Sequence, residues 1–291
     1  VEEEKDIIVQ EINMCDDRPM DILYEKIRKN TIKVNPFRES IIGTEKEVRS
    51  ITKELLEKCY YRYYNPSNMF LVVAGNFDKD KMLEVIKNNQ DKKEFRCIDK
   101  IELKKYNEPD KVVKEREVVK CNTNIPKMAY TIKINIDKFK MDERRLSIYM
   151  YVIFNLLFGD TTLFDEEAKR EGIITSSLYY NVLDIGSHFV ISLINSTDKY
   201  ESLIEKIENE FKNIKFSESD LERKKKVLIS NEVFSYENIE MVNEMIIDNI
   251  IFDGRIEEDI IDIINSLNME ELMSIVSKID FDNKSIVILK K

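Results

Sequence analysis

One pattern occurs twice in this chain. Thr52-Lys-Glu-Leu-Leu56 followed by Asn68-Met-Phe-Leu-Val-Val73 resembles Met269-Glu-Glu-Leu-Met273 followed by Asn283-Lys-Ser-Ile-Val-Ile288, roughly 217 residues further on. Upstream, Lys5-Asp-Ile-Ile-Val-Gln-Glu11 faces Lys225-Lys-Val-Leu-Ile-Ser-Asn231 at a similar offset. Each copy reads as two helices and a loop containing a glycine, Gly43 in the first and Gly254 in the second. Ahead of the second copy, between Val112 and Phe216, lie alternating segments and helices that the first copy lacks. A half-repeat without its sheet exposes strand edge and apolar face. The simplest expectation is that residues upstream of Val1, or a separate chain, complete it.

Local signals fill in this frame. Ile7, Ile8 and Ile12 give Glu2–Met14 a helical period, and Pro19 suits the first turn of a helix to Lys29. The segment from Asn35 to Thr44 reads as a loop. Thr52 caps a predicted helix through Tyr63, Asn65-Pro-Ser-Asn68 breaks it, and Met69–Ala74 has the length and apolarity of a strand. Another helix is expected over Asp78–Asn88. The charged, aperiodic stretch around Pro109 reads as an interdomain linker. Val112–Val119 and Met128–Ile136 alternate, as strands do. Helices follow over Asp142–Phe158 and Leu163–Glu171, the latter ended by Gly172 as a C-cap. Ser176–Leu183 and His188–Ile194 look like a strand pair, helices dominate after Asp198, and Ser285–Leu289 is a last strand.

Composition removes several functions. A net charge of −10, with basic residues scattered among acids, argues against a nucleic-acid partner. No run approaches 18 apolar residues, so no membrane span is expected, and the acidic Val1-Glu2-Glu3-Glu4 start is unlike a signal peptide. Cys15, Cys59, Cys97 and Cys121 are widely spaced, which reads as reduced thiols in a cytoplasmic protein. The single histidine, His188, sits in an alternating segment and is expected to be structural. Ser/His/Asp, Cys/His and multi-histidine metal chemistry would all need more or better placed histidines than this.

Four stretches together resemble the M16 (insulinase-like, mitochondrial-processing-peptidase-like) zinc metallopeptidases. They are Glu4 to Pro19, Asn35-Pro-Phe-Arg-Glu-Ser-Ile-Ile-Gly-Thr44, Ile51–Leu56 with Tyr63-Tyr-Asn-Pro-Ser-Asn-Met-Phe-Leu-Val-Val-Ala-Gly-Asn-Phe-Asp78, and Leu163 to Ile174. The Gly172-Ile-Ile ending is closest to the bacterial YmfH-like branch. The resemblance implies an α+β fold, two related domains of mostly antiparallel sheet backed by helices (the LuxS/MPP-like metallohydrolase type), the first one truncated. It divides the chain into 1–95 as the latter part of a first peptidase domain, 96–111 as linker and 112–291 as the second domain. In the family, zinc is held by a His-x-x-Glu-His helix and a downstream glutamate, leaving one position for a water. By position Glu11 matches that third ligand, and Glu4, seven residues earlier on the same helix face, matches an acid behind it.

The chain departs from the family at the site itself, because there is no His-x-x-Glu-His. Glu11 alone cannot hold catalytic zinc, so no zinc is expected on this chain by itself, and activity is expected only once the missing segment is supplied. Many active members direct an arginine and a tyrosine at substrate backbone; the corresponding positions here are Lys169 and Thr175, which lose the bidentate fork and the phenol. The reading is part of a zinc-dependent endopeptidase that takes peptide substrates into a two-domain chamber. The alternative is a non-catalytic subunit that pairs with a zinc-bearing M16 partner.

Overall fold

The computed structural model describes residues 2–95, 98, 100–254, 256 and 260–291, the side chains of 16 and 253 excepted. Val1, Cys97 and part of the predicted 96–111 linker lie outside these residues. The first half is helical: α1 (Glu2–Asp16), α2 (Pro19–Thr31), α3 (Glu45–Ser50), α4 (Lys53–Tyr63) and α5 (Lys79–Gln90). Strands β1 (Arg116–Lys120) and β2 (Lys127–Asn135) then lead to α6 (Glu143–Phe158) and α7 (Leu163–Arg170). The hairpin β3 (Tyr179–Asp184) and β4 (His188–Ser196) precedes α8 (Tyr200–Lys212), α9 (Glu218–Ser235), α10 (Ile239–Asp253), α11 (Ile260–Asn265), α12 (Met269–Lys278) and β5 (Lys284–Lys290). The cap expected at Thr52 is in place, and Asp78 and Asp142, expected only as helix starts, cap their helices as well. The Thr52 hydroxyl accepts from the Leu55 N–H, the Asp78 carboxylate from Asp80 and Lys81, and the Asp142 carboxylate from Arg145. Gly172 ends α7 with φ +63°, a left-handed geometry that a Cβ would strain.

The chain divides into two compact units, and neither is a continuous stretch. The larger holds residues 2–49, 105–225 and 266–291, and the smaller residues 50–104 and 226–265. In the larger unit the strands form one sheet of order β1-β5-β2-β4-β3. All neighbours are antiparallel except β1 and β5. Both faces of β2, β4 and β5 are covered, which is why these strands are apolar almost throughout. On one face Leu23, Ile27 and Ile32 pack on Ala129, Val190, Val287 and Leu289. Burying Leu23 and Ile27 there is worth about 1.5–3 kcal/mol each. On the other face Tyr130 meets Phe211 of α8, which touches Phe154 and Phe158 of α6. Against the expectation of no span, the stretch Glu143–Arg170 is long and apolar enough in composition to cross a membrane. It is two helices broken after Gly159, and the apolar side chains of α6 lie in this core.

A buried ion pair fastens the larger unit together. Glu108, fully buried, accepts Lys133 Nζ at 2.7 Å and the backbone N–H groups of Lys33, Val34 and Asn35 at 2.7–2.8 Å. Lys133 also donates to the Pro109 carbonyl at 2.6 Å. The Asn283 amide donates to the carbonyls of Asp110 and Lys133. Burial pushes the Glu108 carboxyl up, but the bonds from Lys133 and the three backbone donors outweigh it and bring the group down to about 2. Nothing in the aperiodic sequence around Pro109 marks Glu108 as buried.

The structure bears out the repeat as an order of elements. Helices α1 to α4 correspond to α9 to α12, and α4 and α12 begin 216 residues apart (269 − 53), each with a capping side chain, Thr52 and Asn268. At the same offset Met69–Ala74 falls on Ser285–Lys290 of β5. The expected strand at Met69–Ala74 does not form: Met69 is extended, but the run pairs with no strand among the described residues. The reason is the absence of ladder partners, since an isolated extended segment has nowhere to place its backbone hydrogen bonds.

Candidate functional site

The residues singled out for zinc lie on α1. That helix buries Lys5, Val9 and Ile12, spaced four and three apart, with Val9 and Ile12 clustered on Val48 of α3. Lys5 is held at the edge of this contact, its ammonium donating to Glu2 Oε1 at 2.9 Å and the Arg49 carbonyl at 3.2 Å. Glu4 and Glu11, seven apart, fall nearly in line on the flank of the buried stripe, and both are exposed. Between and beyond them Ile7 and Met14 are more than half exposed. The helix therefore presents two carboxylates set among uncovered apolar side chains.

Whether these residues could hold zinc depends on the donors near them. No group of three or more His, Cys, Asp or Glu side chains converges among the described residues. His188 is not available: it is buried in β4, its Nδ1 at 2.9 Å from Ser187 Oγ and its Nε2 at 3.3 Å from Asp110 Oδ1. Burial, with the nearby Lys133 charge, keeps its pKa below the ordinary histidine value despite Asp110. Among the described residues, Glu11 offers one carboxylate and no imidazole joins it, so the donor set does not fit a resident catalytic zinc.

Lys169 and Thr175 sit apart from the acids. Lys169, on α7, is bonded to Asp165 Oδ2 at 2.7 Å and to Ser177 Oγ at 2.8 Å. Asp165 is buried, and Lys169 neutralises it. Thr175 is exposed just after the Gly172 turn. The structure thus gives Lys169 a local tie and leaves Thr175 exposed. The cysteines Cys15, Cys59 and Cys121 are free thiols.

Comparison with known proteins places this architecture. A family model described as the Peptidase M16 inactive domain matches residues 50–228, more than half of the chain. YmfH, a zinc protease of Bacillus subtilis, is 33% identical over 183 residues, which are 62% of this chain and 42% of YmfH. A zinc protease of Rickettsia felis is 25% identical over 96% of this chain and 67% of its own length. Among solved structures, an M16-like peptidase from Alicyclobacillus acidocaldarius superposes with a TM-score of 0.90 at 25% identity, covering 99% of this chain and 70% of that one. A protease from Helicobacter pylori shares the fold, with a TM-score of 0.85 at 17% identity over 99% and 71%. The chain belongs to the M16 peptidase family. Its match with YmfH spans less than half of that relative's length.

Proposed function

We propose that this chain is the latter part of an M16 zinc endopeptidase and becomes active only when a His-x-x-Glu-His segment is brought to α1. The observation that carries this reading is the exposed acid face of α1. Glu4 and Glu11 are aligned, solvent-facing and flanked by the bare side chains of Ile7 and Met14, as expected of a helix awaiting a partner. In this reading Glu11 supplies the third zinc ligand and Glu4 supports the site from behind it. Residues 1–95 continue a first peptidase domain, 96–111 link it, and 112–291 form the second domain. The substrate is a peptide, the setting is cytoplasmic, and neither nucleic acid nor membrane is a partner. The zinc-protease relatives, each extending beyond the matched region, support the assignment.

A second reading, in which the chain is a non-catalytic half paired with a zinc-bearing M16 subunit, is favoured by one observation. Lys169 is spent on Asp165 and Ser177, which leaves no arginine-like anchor for substrate. The test is to join the chain to an M16 segment bearing His-x-x-Glu-His and measure zinc retention and peptide hydrolysis for the original sequence and for Glu11→Gln. Loss of both in the variant supports the first reading. Unchanged zinc and activity in Glu11→Gln remove Glu11 from the ligand set and leave the second.

A further inference from the structure

The end of the stretch predicted as a linker is a strap laid across the larger unit. Val113 and Lys114 donate their backbone N–H groups to the Asn30 carbonyl at 2.7 and 3.0 Å, and Val112 donates to Asn283 Oδ1 at 3.0 Å. Glu108 takes the N–H groups of Lys33, Val34 and Asn35. The strap thus fastens the last turn of α2, and the chain just after it, to the sheet. Asp110 adds two ties: its Oδ1 accepts Asn135 Nδ2 at 2.6 Å, and its Oδ2 lies 3.3 Å from Lys138 Nζ. Its third partner is His188 of β4, whose Nε2 is 3.3 Å from Oδ1.

The charges that face His188 are already matched. Lys133 on β2 is paired with Glu108, both fully buried, and Lys138, just after β2, is paired with Asp110. The turn before β4 contributes the neutral hydroxyl of Ser187, 2.9 Å from Nδ1. Two cations therefore stand against two carboxylates. A proton on His188 would add a third cation at a side chain that is 2% exposed, where leaving water disfavours it and Lys133 repels it. Asp110, 46% exposed and shared with Asn135 and Lys138, offsets this only in part.

We propose that His188 is a proton-operated latch on this strap: neutral, it closes the strap over the end of α2, and protonated, it releases it. Burial and the Lys133 charge put its folded value below the ordinary 6.5. The stability that the latch supplies is therefore present above about pH 6.5 and is lost as pH falls from there through the folded value. The carboxylates stay ionised in this window. Despite its burial, Glu108 is brought down to about 2 by Lys133 and the backbone donors, and the bonds from Asn135 and Lys138 hold Asp110 below the usual carboxylate range. That leaves His188, the single histidine of the chain, as the group of this network with an ordinary value inside the window. At neutral pH the strap is a fixed part of the larger unit, and in mild acid it becomes the loose connector its sequence suggests.

The experiment uses the chain itself. Proton NMR follows the one imidazole between about pH 7.5 and 5.5, and amide exchange, corrected for its intrinsic pH dependence, is read at Lys33, Val34, Asn35, Val113 and Lys114. The expected result is an imidazole midpoint below 6.5 and a loss of protection at these amides of about 10-fold across that range. His188→Gln removes the titrating group and should make the protection independent of pH. Asp110→Asn removes the carboxylate that favours the imidazolium and should move the midpoint further down, which a purely structural tie would not do. A midpoint at or above 6.5, the same acid loss of protection in His188→Gln, or an unmoved midpoint in Asp110→Asn overturns the proposal. The titration of the unaltered chain decides the matter even where His188→Gln fails to fold.

Discussion

Replacing Glu108 by glutamine tests how the larger unit is held together. The carboxylate accepts four hydrogen bonds, from Lys133 Nζ and three successive backbone N–H groups, in a site closed to solvent. Bringing a carboxyl from 4.5 to about 2 corresponds to about 3 kcal/mol of stability at neutral pH, at about 1.4 kcal/mol per pH unit. A glutamine keeps one acceptor oxygen and turns an amide NH₂ toward donors it cannot bond. It also leaves Lys133 buried without its counter-ion, a loss of about 3–5 kcal/mol in comparable pairs. Glu108→Gln should therefore cost about 3 kcal/mol at pH 7, a fall in melting temperature of roughly 6–12 °C for a unit of this size. The pH dependence follows with a definite sign. The folded pKa lies below the unfolded one, so the stabilisation is present above about pH 4.5 and is lost as pH falls toward 2. Urea unfolding followed by far-ultraviolet circular dichroism at pH 7, 5, 4 and 3 should show the original chain losing stability steeply below pH 4.5 and the variant losing less. Adding Lys133→Met to Glu108→Gln should recover part of the loss. A variant within about 0.5 kcal/mol of the original at pH 7, or parallel pH profiles, would refute the reasoning.

Leu23→Ala, which removes a fully buried side chain between α2 and the sheet, should cost about 2–5 kcal/mol in the same denaturation assay. Gly172→Ala forces a Cβ into a left-handed turn and should cost about 1–2 kcal/mol, with no effect on zinc retention by the joined protein. Lys169→Met should destabilise the chain by leaving buried Asp165 uncompensated; hydrolysis by the joined protein that falls further than this folding loss explains would return Lys169 to the substrate site.

Much of the fold was legible because it rests on local chemistry. The cap Thr52, the helix starts at Asp78 and Asp142, Pro19 at a first turn, and Gly172 at a helix end each depend on a few neighbouring residues, and the β3–β4 hairpin follows from alternation across a short turn. The insertion of β5 between β1 and β2 was not legible, because it joins strands more than 150 residues apart. Glu108 was hidden for a similar reason: its partners are backbone amides of Lys33–Asn35 and a lysine on β2. The failure at Met69–Ala74 runs the other way. Its apolarity reads as a strand, but pairing belongs to the sheet and not to the segment, and among the described residues no strand lies beside it. At the site, Glu4 and Glu11 were readable as one helix face, whereas the tie between Lys169 and Asp165 needed coordinates to separate it from a substrate anchor.

The zinc content of the purified chain after exhaustive dialysis, set beside that of the same chain joined to a His-x-x-Glu-His segment, tests the central claim most directly. The account predicts essentially no zinc on the chain alone and close to one zinc per molecule in the joined protein, lost again with Glu11→Gln. Tight one-to-one zinc on the chain alone would contradict it.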